Sequence, residues 1–168
     1  MTAVVGILLV NPKFPHNVGG ALRAAACFGA DSMWWTGERV PAPESWPEGA
    51  RLPREERMRI RETVTWGVLQ SADDVSDLTP VCVERANEAE SLIDFVHPAN
   101  PLYVFGPEDG GVPKGWRAAC HRFVSIPTVN DGPLNLAAAI NVVLYDRIAK
   151  TGAGSPDPRS DVVGRTTL

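Results

Sequence analysis

Val4-Val5-Gly6-Ile7-Leu8-Leu9-Val10, closed by Asn11-Pro12 and followed by Asn17-Val18-Gly19-Gly20-Ala21-Leu22-Arg23, is the stretch that decides the fold. Its first half is a continuous apolar run rich in β-branched residues, the pattern of a strand buried on both faces of a parallel sheet. In the second half Asn17 is a candidate helix N-cap. Ala21, Ala24, Ala25 and Phe28 then recur at helical spacing up to Gly29, a candidate C′ residue. Strand, loop and helix open a βαβ unit, and its second strand is predicted over Asp31 to Thr36.

Further along, the alternation continues. Strands are predicted at Val81 to Glu84, Leu102 to Phe105 and Phe123 to Ile126; helices around Ser91 to Val96, near Trp116 to Cys120 and over Leu134 to Ala149; a turn at Gly110 to Gly111. The class is therefore α/β, a mostly parallel sheet flanked by helices. Between the second and third strands, Gly37 to Pro53 is dense in Pro, Gly and charge and reads as a long surface excursion leading to a short helical pattern around Arg54 to Thr63. Residues 1–150 are expected to form one domain, and 151–168 a disordered tail. The last helix is apolar nearly all round: Leu136, Ala139, Ile140 and Val143 cover one side, Ala137, Ala138, Leu144 and Ile148 another. Such a helix needs burial on more than one side, which predicts a homodimer.

Composition limits the function. The 168 residues fit one domain, so no separate recognition domain is expected. The apolar run at the start lacks a basic segment before it and is too short to span a bilayer, so neither a targeting peptide nor a membrane partner is expected. Cys27, Cys82 and Cys120 are odd in number and distant in sequence, which points to a reducing, cytoplasmic setting rather than a disulfide framework. His16, His97 and His121 share no motif, read as surface or loop residues, and suggest no metal site. No Gly-x-Ser-x-Gly elbow, Walker loop or Gly-x-Gly-x-x-Gly fingerprint occurs. The net charge of −4 counts against a nucleic-acid partner, although Arg51, Arg54, Arg57, Arg59 and Arg61 crowd one short stretch. That stretch also reads as an exposed mixed-charge helix with a Glu55–Arg59 pair. The five tryptophans could stack on bases, but core or interface is their commoner place.

Three segments carry candidate chemistry. Arg23 follows Gly20 and Gly19 by three and four residues and stands beside an open helix surface, suited to a ligand or to close packing. Phe105-Gly106-Pro107-Glu108 ends a buried strand, where open parallel sheets place ligands, although a plain turn uses the same residues. Asn135 begins an otherwise apolar helix after the Thr128 to Pro133 loop and must find partners, through a helix cap, substrate or Glu108. Asn141 reads as a structural polar contact.

In order and type, Asn17 to Arg23, Phe105 to Glu108 and Pro133-Leu134-Asn135-Leu136 resemble the three signature motifs of the SPOUT superfamily, in its SpoU/TrmH branch of RNA ribose methyltransferases. The match covers Val4 to Ile148. It implies an α/β sheet with a deep trefoil knot, here about Leu102 to Ala149, S-adenosylmethionine as cofactor, and a homodimer whose knots meet. By position, it implies catalytic roles for Arg23, Glu108 and Asn135, and cofactor contacts from Phe105, Gly106, Pro107, Ile126, Leu134 and Asn135. Asn17 and Arg23 would meet substrate.

The implied reaction is attack of a ribose 2′-hydroxyl on the sulfonium methyl, with Arg23 as a positioning and electrostatic group, since a guanidinium stays protonated. The third motif departs from the family: Pro133 stands where a serine is usual, so a hydroxyl is missing. The minimal chain resembles TrmL-like members, which act on the tRNA wobble ribose, so RNA, and tRNA in particular, is the expected partner. Two other readings stay open: a non-catalytic RNA- or protein-binding module on the same fold, and a methyltransferase with a non-RNA substrate.

Overall fold

The computed structural model describes residues 3–42, 63–70, 72–130 and 132–152. The arginine-rich stretch and most of the predicted tail lie outside the described residues. Among the described residues seven strands form one sheet in the order β3-β2-β1-β6-β4-β7-β5, and every pair is parallel. The strands are β1 (Gly6–Leu9), β2 (Ser32–Trp35), β3 (Thr65–Val68), β4 (Thr79–Val83), β5 (Glu90–Ser91), β6 (Pro101–Phe105) and β7 (Arg122–Ser125). Among the described residues the α-helices are α1 (Pro15–Phe28), α2 (Lys114–Ala119) and α3 (Leu136–Thr151).

Central β1 and β6 are buried at every residue because both faces are covered, which is why they read as unbroken apolar runs. Side chains alternate across the sheet. Ile7, Leu9, Tyr103 and Phe105 join the larger core with Leu22 of α1 and Ile140, Val143 and Leu144 of α3. Leu8, Val10, Leu102 and Val104 face the other way and meet Cys82, Val112 and Cys120. Trp35 lies wholly in the larger core, with Trp66 stacked on it, so these rings are structural.

Four local expectations need correction. Helix α1 starts at Pro15, not after Asn17: Phe14 has the extended cap conformation, and proline's missing N–H costs nothing in a first turn. Gly29 does close the helix, at φ 68°. The Ser91 to Val96 segment is not a helix. Leu92 extends the β7 ladder through Ser125, a single turn follows, and the chain then meets His97-Pro98, which disfavours helical continuation. Strand β3, short and interrupted by Gly67, gave no clear periodic signal.

The fourth correction is His97, whose side chain has 0% exposure. Its Nδ1 lies 2.6 Å from the Tyr103 hydroxyl and its Nε2 2.8 Å from Asp146, which also pairs with Lys150 at 2.8 Å. Burial pushes the imidazole below its ordinary range, with Asp146 partly opposing.

Candidate active site

The C-terminal ends of β6, β4 and β7 all open onto one side, and there a cavity of about 550 Å³ lies against the start of α3. This is where open parallel sheets bind ligands. Apolar Phe105, Ile126, Leu136 and Ala139 form part of its wall, and the glycine-rich strand ends supply peptide groups. The volume falls within the roughly 300–1,000 Å³ of small-molecule sites. Gly106 is required by the chain itself: a Cβ there would lie 2.6 Å from the backbone of both Gly111 and Val112. A side chain at Gly111 would in turn run into the Glu84 carboxylate.

The three distant segments meet through one hydrogen-bond chain. Asn135 caps α3, its Oδ1 accepting from the Ala138 N–H at 3.2 Å. Asn135 Nδ2 donates to Asn17 Oδ1 at 3.1 Å, and Asn17 Nδ2 donates to Glu108 Oε1 at 2.5 Å. Glu108 also accepts from the backbone N–H of Lys13 at 2.7 Å and of Phe14 at 3.4 Å. Partial burial raises the Glu108 pKa, but the donors from Asn17, Lys13 and Phe14 outweigh it and hold the carboxyl below its usual range. Asn17, only 2% exposed, is thus engaged at both ends of its amide.

Every residue expected at the site except Arg23 lines this cavity: Asn17, Phe105, Gly106, Pro107, Glu108, Ile126, Leu134 and Asn135. Arg23 lies on the exposed surface of α1 and engages no partner among the described residues. Gly20 faces Ala137, whose Cβ would be 2.7 Å from a Cβ at position 20, so this glycine serves close approach of α1 to α3. Asn141 makes a local bond to the Ala137 carbonyl.

Sequence reasoning missed Val83, Glu84 and Arg85, although the rule that ligands sit beyond strand ends could have found them. It also missed Phe14 and His16 on the rim. Glu84 accepts from Arg117 at 3.2 Å, and Arg117 also pairs with Glu88. The lining joins an apolar wall to polar groups at the strand ends, which suits a small molecule with both kinds of surface. S-adenosylmethionine fits that description.

Residues 5–145 match the SpoU rRNA Methylase family. The chain belongs to this family. Among curated family relatives, it is 28% identical over 167 residues to the 23S rRNA (guanosine-2'-O-)-methyltransferase RlmB of Nitrosomonas europaea, covering 93% of this chain and 62% of that protein. It is 26% identical to the 23S rRNA (uridine(2479)-2'-O)-methyltransferase of Streptomyces viridochromogenes, covering 89% and 54%. To the tRNA (cytidine/uridine/adenosine-2'-O-)-methyltransferase TrmJ of Pseudomonas aeruginosa it is 27% identical, covering 84% and 59%. The chain thus spans 54% to 62% of the length of these relatives.

Among solved structures, the SpoU methyltransferase AviRb of S. viridochromogenes in complex with AdoMet superposes with TM-score 0.73 at 23% identity, covering 92% of this chain and 63% of that one. A structure concerned with 2-OH methylation of C/U34 on tRNA gives TM-score 0.70 at 24% identity, covering 90% and 99%. At these identities the likeness establishes the fold.

Proposed function

We propose that this chain transfers a methyl group from S-adenosylmethionine to a ribose 2′-hydroxyl of RNA. The observation that carries the reading is the convergence of Asn17, Glu108 and Asn135 at a cavity beyond the sheet's C-terminal edge, in a chain of the SpoU family. The named relatives act on 23S rRNA or on tRNA, and the substrate is proposed at the level of an RNA ribose, with tRNA the first to test.

Phe105, Gly106, Pro107, Ile126, Leu134 and Asn135 would hold the cofactor. When bound, it supplies a methyl group made electrophilic by the sulfonium. Glu108 is ionised at neutral pH and already accepts three hydrogen bonds, so its role is to hold Asn17 and the Lys13-Phe14 loop in place rather than to take up a proton. Asn135 fixes the start of α3 against α1. The knot implied over Leu102 to Ala149 belongs to this reading.

Arg23 follows Asn17 by six residues, about 9 Å along α1 and about 240° around it. Its side chain therefore leaves the helix on a different side from the relay, and in the proposed homodimer it serves substrate at a subunit boundary. An exposed stripe on α3, Ala138, Val142, Tyr145 and Ala149, supports that dimer, with Tyr145 61% exposed and edge-on to Phe28. Tyr145→Glu should yield a folded monomer by light scattering; an unchanged dimer, or a wild-type monomer, refutes the interface.

Calorimetry with S-adenosylmethionine, followed by transfer of labelled methyl to bulk tRNA and rRNA, tests the activity. Arg23→Ala should abolish transfer while leaving cofactor binding intact. The alternative, a binding module without catalysis, is favoured by one observation: Pro133 lines the cavity and offers no hydroxyl. Absence of cofactor binding to the folded wild-type protein would establish that alternative and refute the methyltransferase reading.

A further inference from the structure

Phe14 and His16 sit on the rim of the cavity, outside both hydrophobic cores. Phe14 is 40% exposed and His16 is exposed as well. Their rings are stacked, with centroids 5.3 Å apart and planes inclined by 17°. Part of the Phe14 ring thus faces solvent at the mouth of the cavity, parallel to a second ring.

The surrounding charge points to the class of ligand. Lys13 Nζ lies 5.3 Å from the Phe14 ring centroid. Lys13 and Arg39 both pair with Asp109, at 3.6 and 2.9 Å, so two cations gather on this rim, with Asp109 and the ionised Glu108 as their counter-charges. Flat π-surfaces beside cations are what proteins use to hold unpaired nucleobases next to their phosphates. The loop is also tied to the site. Glu108 holds the backbone N–H of both Lys13 and Phe14, and Pro15 fixes the chain between the two rings. The backbone that carries the rings is therefore held before a ligand arrives, which lowers the entropic cost of binding.

We propose that Phe14 and His16 form a stacking platform for an unpaired base of the RNA strand, at or beside the nucleotide whose ribose enters the cavity. This rests on the RNA-methylation reading above and adds the residues that would position the strand. A helical RNA presents no free base face, so the site would select a single-stranded loop or an extruded nucleotide. Lys13 and Arg39 would meet the adjoining phosphates, so binding should weaken as salt rises.

The test uses the wild-type chain, Phe14→Ala, His16→Ala and the aromatic replacement Phe14→Tyr, each checked for an unchanged thermal midpoint. The probe is a short single-stranded ribo-oligonucleotide carrying one 2-aminopurine, whose fluorescence falls when it stacks, with its duplex form as control. Wild type and Phe14→Tyr should quench the single strand and not the duplex. Phe14→Ala and His16→Ala should bind it about 5- to 150-fold more weakly, raise the KM for RNA more than they lower kcat, and leave S-adenosylmethionine affinity unchanged. Loss of cofactor affinity with RNA binding intact would assign the rings to the cofactor and overturn the proposal. So would methyl transfer with unaltered KM and quenching in the alanine variants, which would leave the methyltransferase reading standing. A wild-type chain that quenches the oligonucleotide but transfers no methyl would refute that reading and support the platform.

Discussion

Replacing Glu108 with glutamine removes one negative charge and turns one acceptor into a donor, and the structure dictates where the mismatch falls. The relay has a fixed direction. The Ala138 N–H occupies Asn135 Oδ1, so Asn135 must donate to Asn17, and Asn17 must then donate to residue 108. The amide orientations follow from the two ends of the chain. Residue 108 must also accept from Lys13 and Phe14 on its two oxygens. Glutamine has one oxygen, so whichever way its amide turns, its NH₂ group confronts an N–H. Flipping Asn17 only moves the conflict to Asn135. One charge-assisted bond is lost and one donor is left facing another, together about 2 kcal/mol at this half-buried position. For a chain of 168 residues that is a fall of about 4–8 °C in thermal midpoint.

The pH dependence provides an independent check. Glu108 is held below its ordinary value of 4.5 in the folded chain, so its stabilisation is complete above that pH and is lost as pH falls through the folded-state value. The gap between wild type and Glu108→Gln should therefore be widest near neutrality and close in acid. Calorimetric melts of both proteins across that range are the assay. Equal midpoints at neutral pH, or a gap that persists in acid, would refute the directional relay.

Gly106→Ala should cost about 1–3 kcal/mol or more and abolish cofactor binding, because the new methyl would meet the Gly111 and Val112 backbone rather than a yielding side-chain tip; a normal melt with intact calorimetric binding would count against it. His97 gives a second pH signature. Its buried ring faces Asp146, Lys150, Arg147 and Tyr103, and its folded-state pKa lies below the ordinary 6.5. The unfolded chain thus takes up the proton first, and this contribution to stability is complete above 6.5 and declines below it. His97→Gln should flatten the thermal midpoint between about pH 7 and about pH 5; an unaltered slope would show that other groups set it.

What was legible in the sequence is what depends on local pattern. Val4 to Val10 and Leu102 to Phe105 announce themselves because both faces of β1 and β6 are covered, and Gly29 because a left-handed cap favours glycine. Strand β3 escaped notice because an edge position around Gly67 carries little periodicity. His97 looked like a loop residue because its partners, Tyr103 and Asp146, are 6 and 49 positions away. Cys82 and Cys120, distant in sequence, likewise meet in the smaller core.

The site follows the same division. Chain position marked Asn17, Glu108 and Asn135 as three separate candidates, each with a structural explanation of its own: a cap, a turn, a cap. In the folded chain the cap and the site are one object. Asn135 can cap α3 and still donate to Asn17 because its amide has two ends, and Asn17 can pass that polarity on only to a full acceptor, which Glu108 supplies while it stays ionised. The three motifs belong together because each supplies the one hydrogen-bonding role that the other two leave open. Arg23 stands outside that circuit, on another side of α1. The role proposed for it would therefore be exercised from that other side, and not among the residues that hold the cavity in shape.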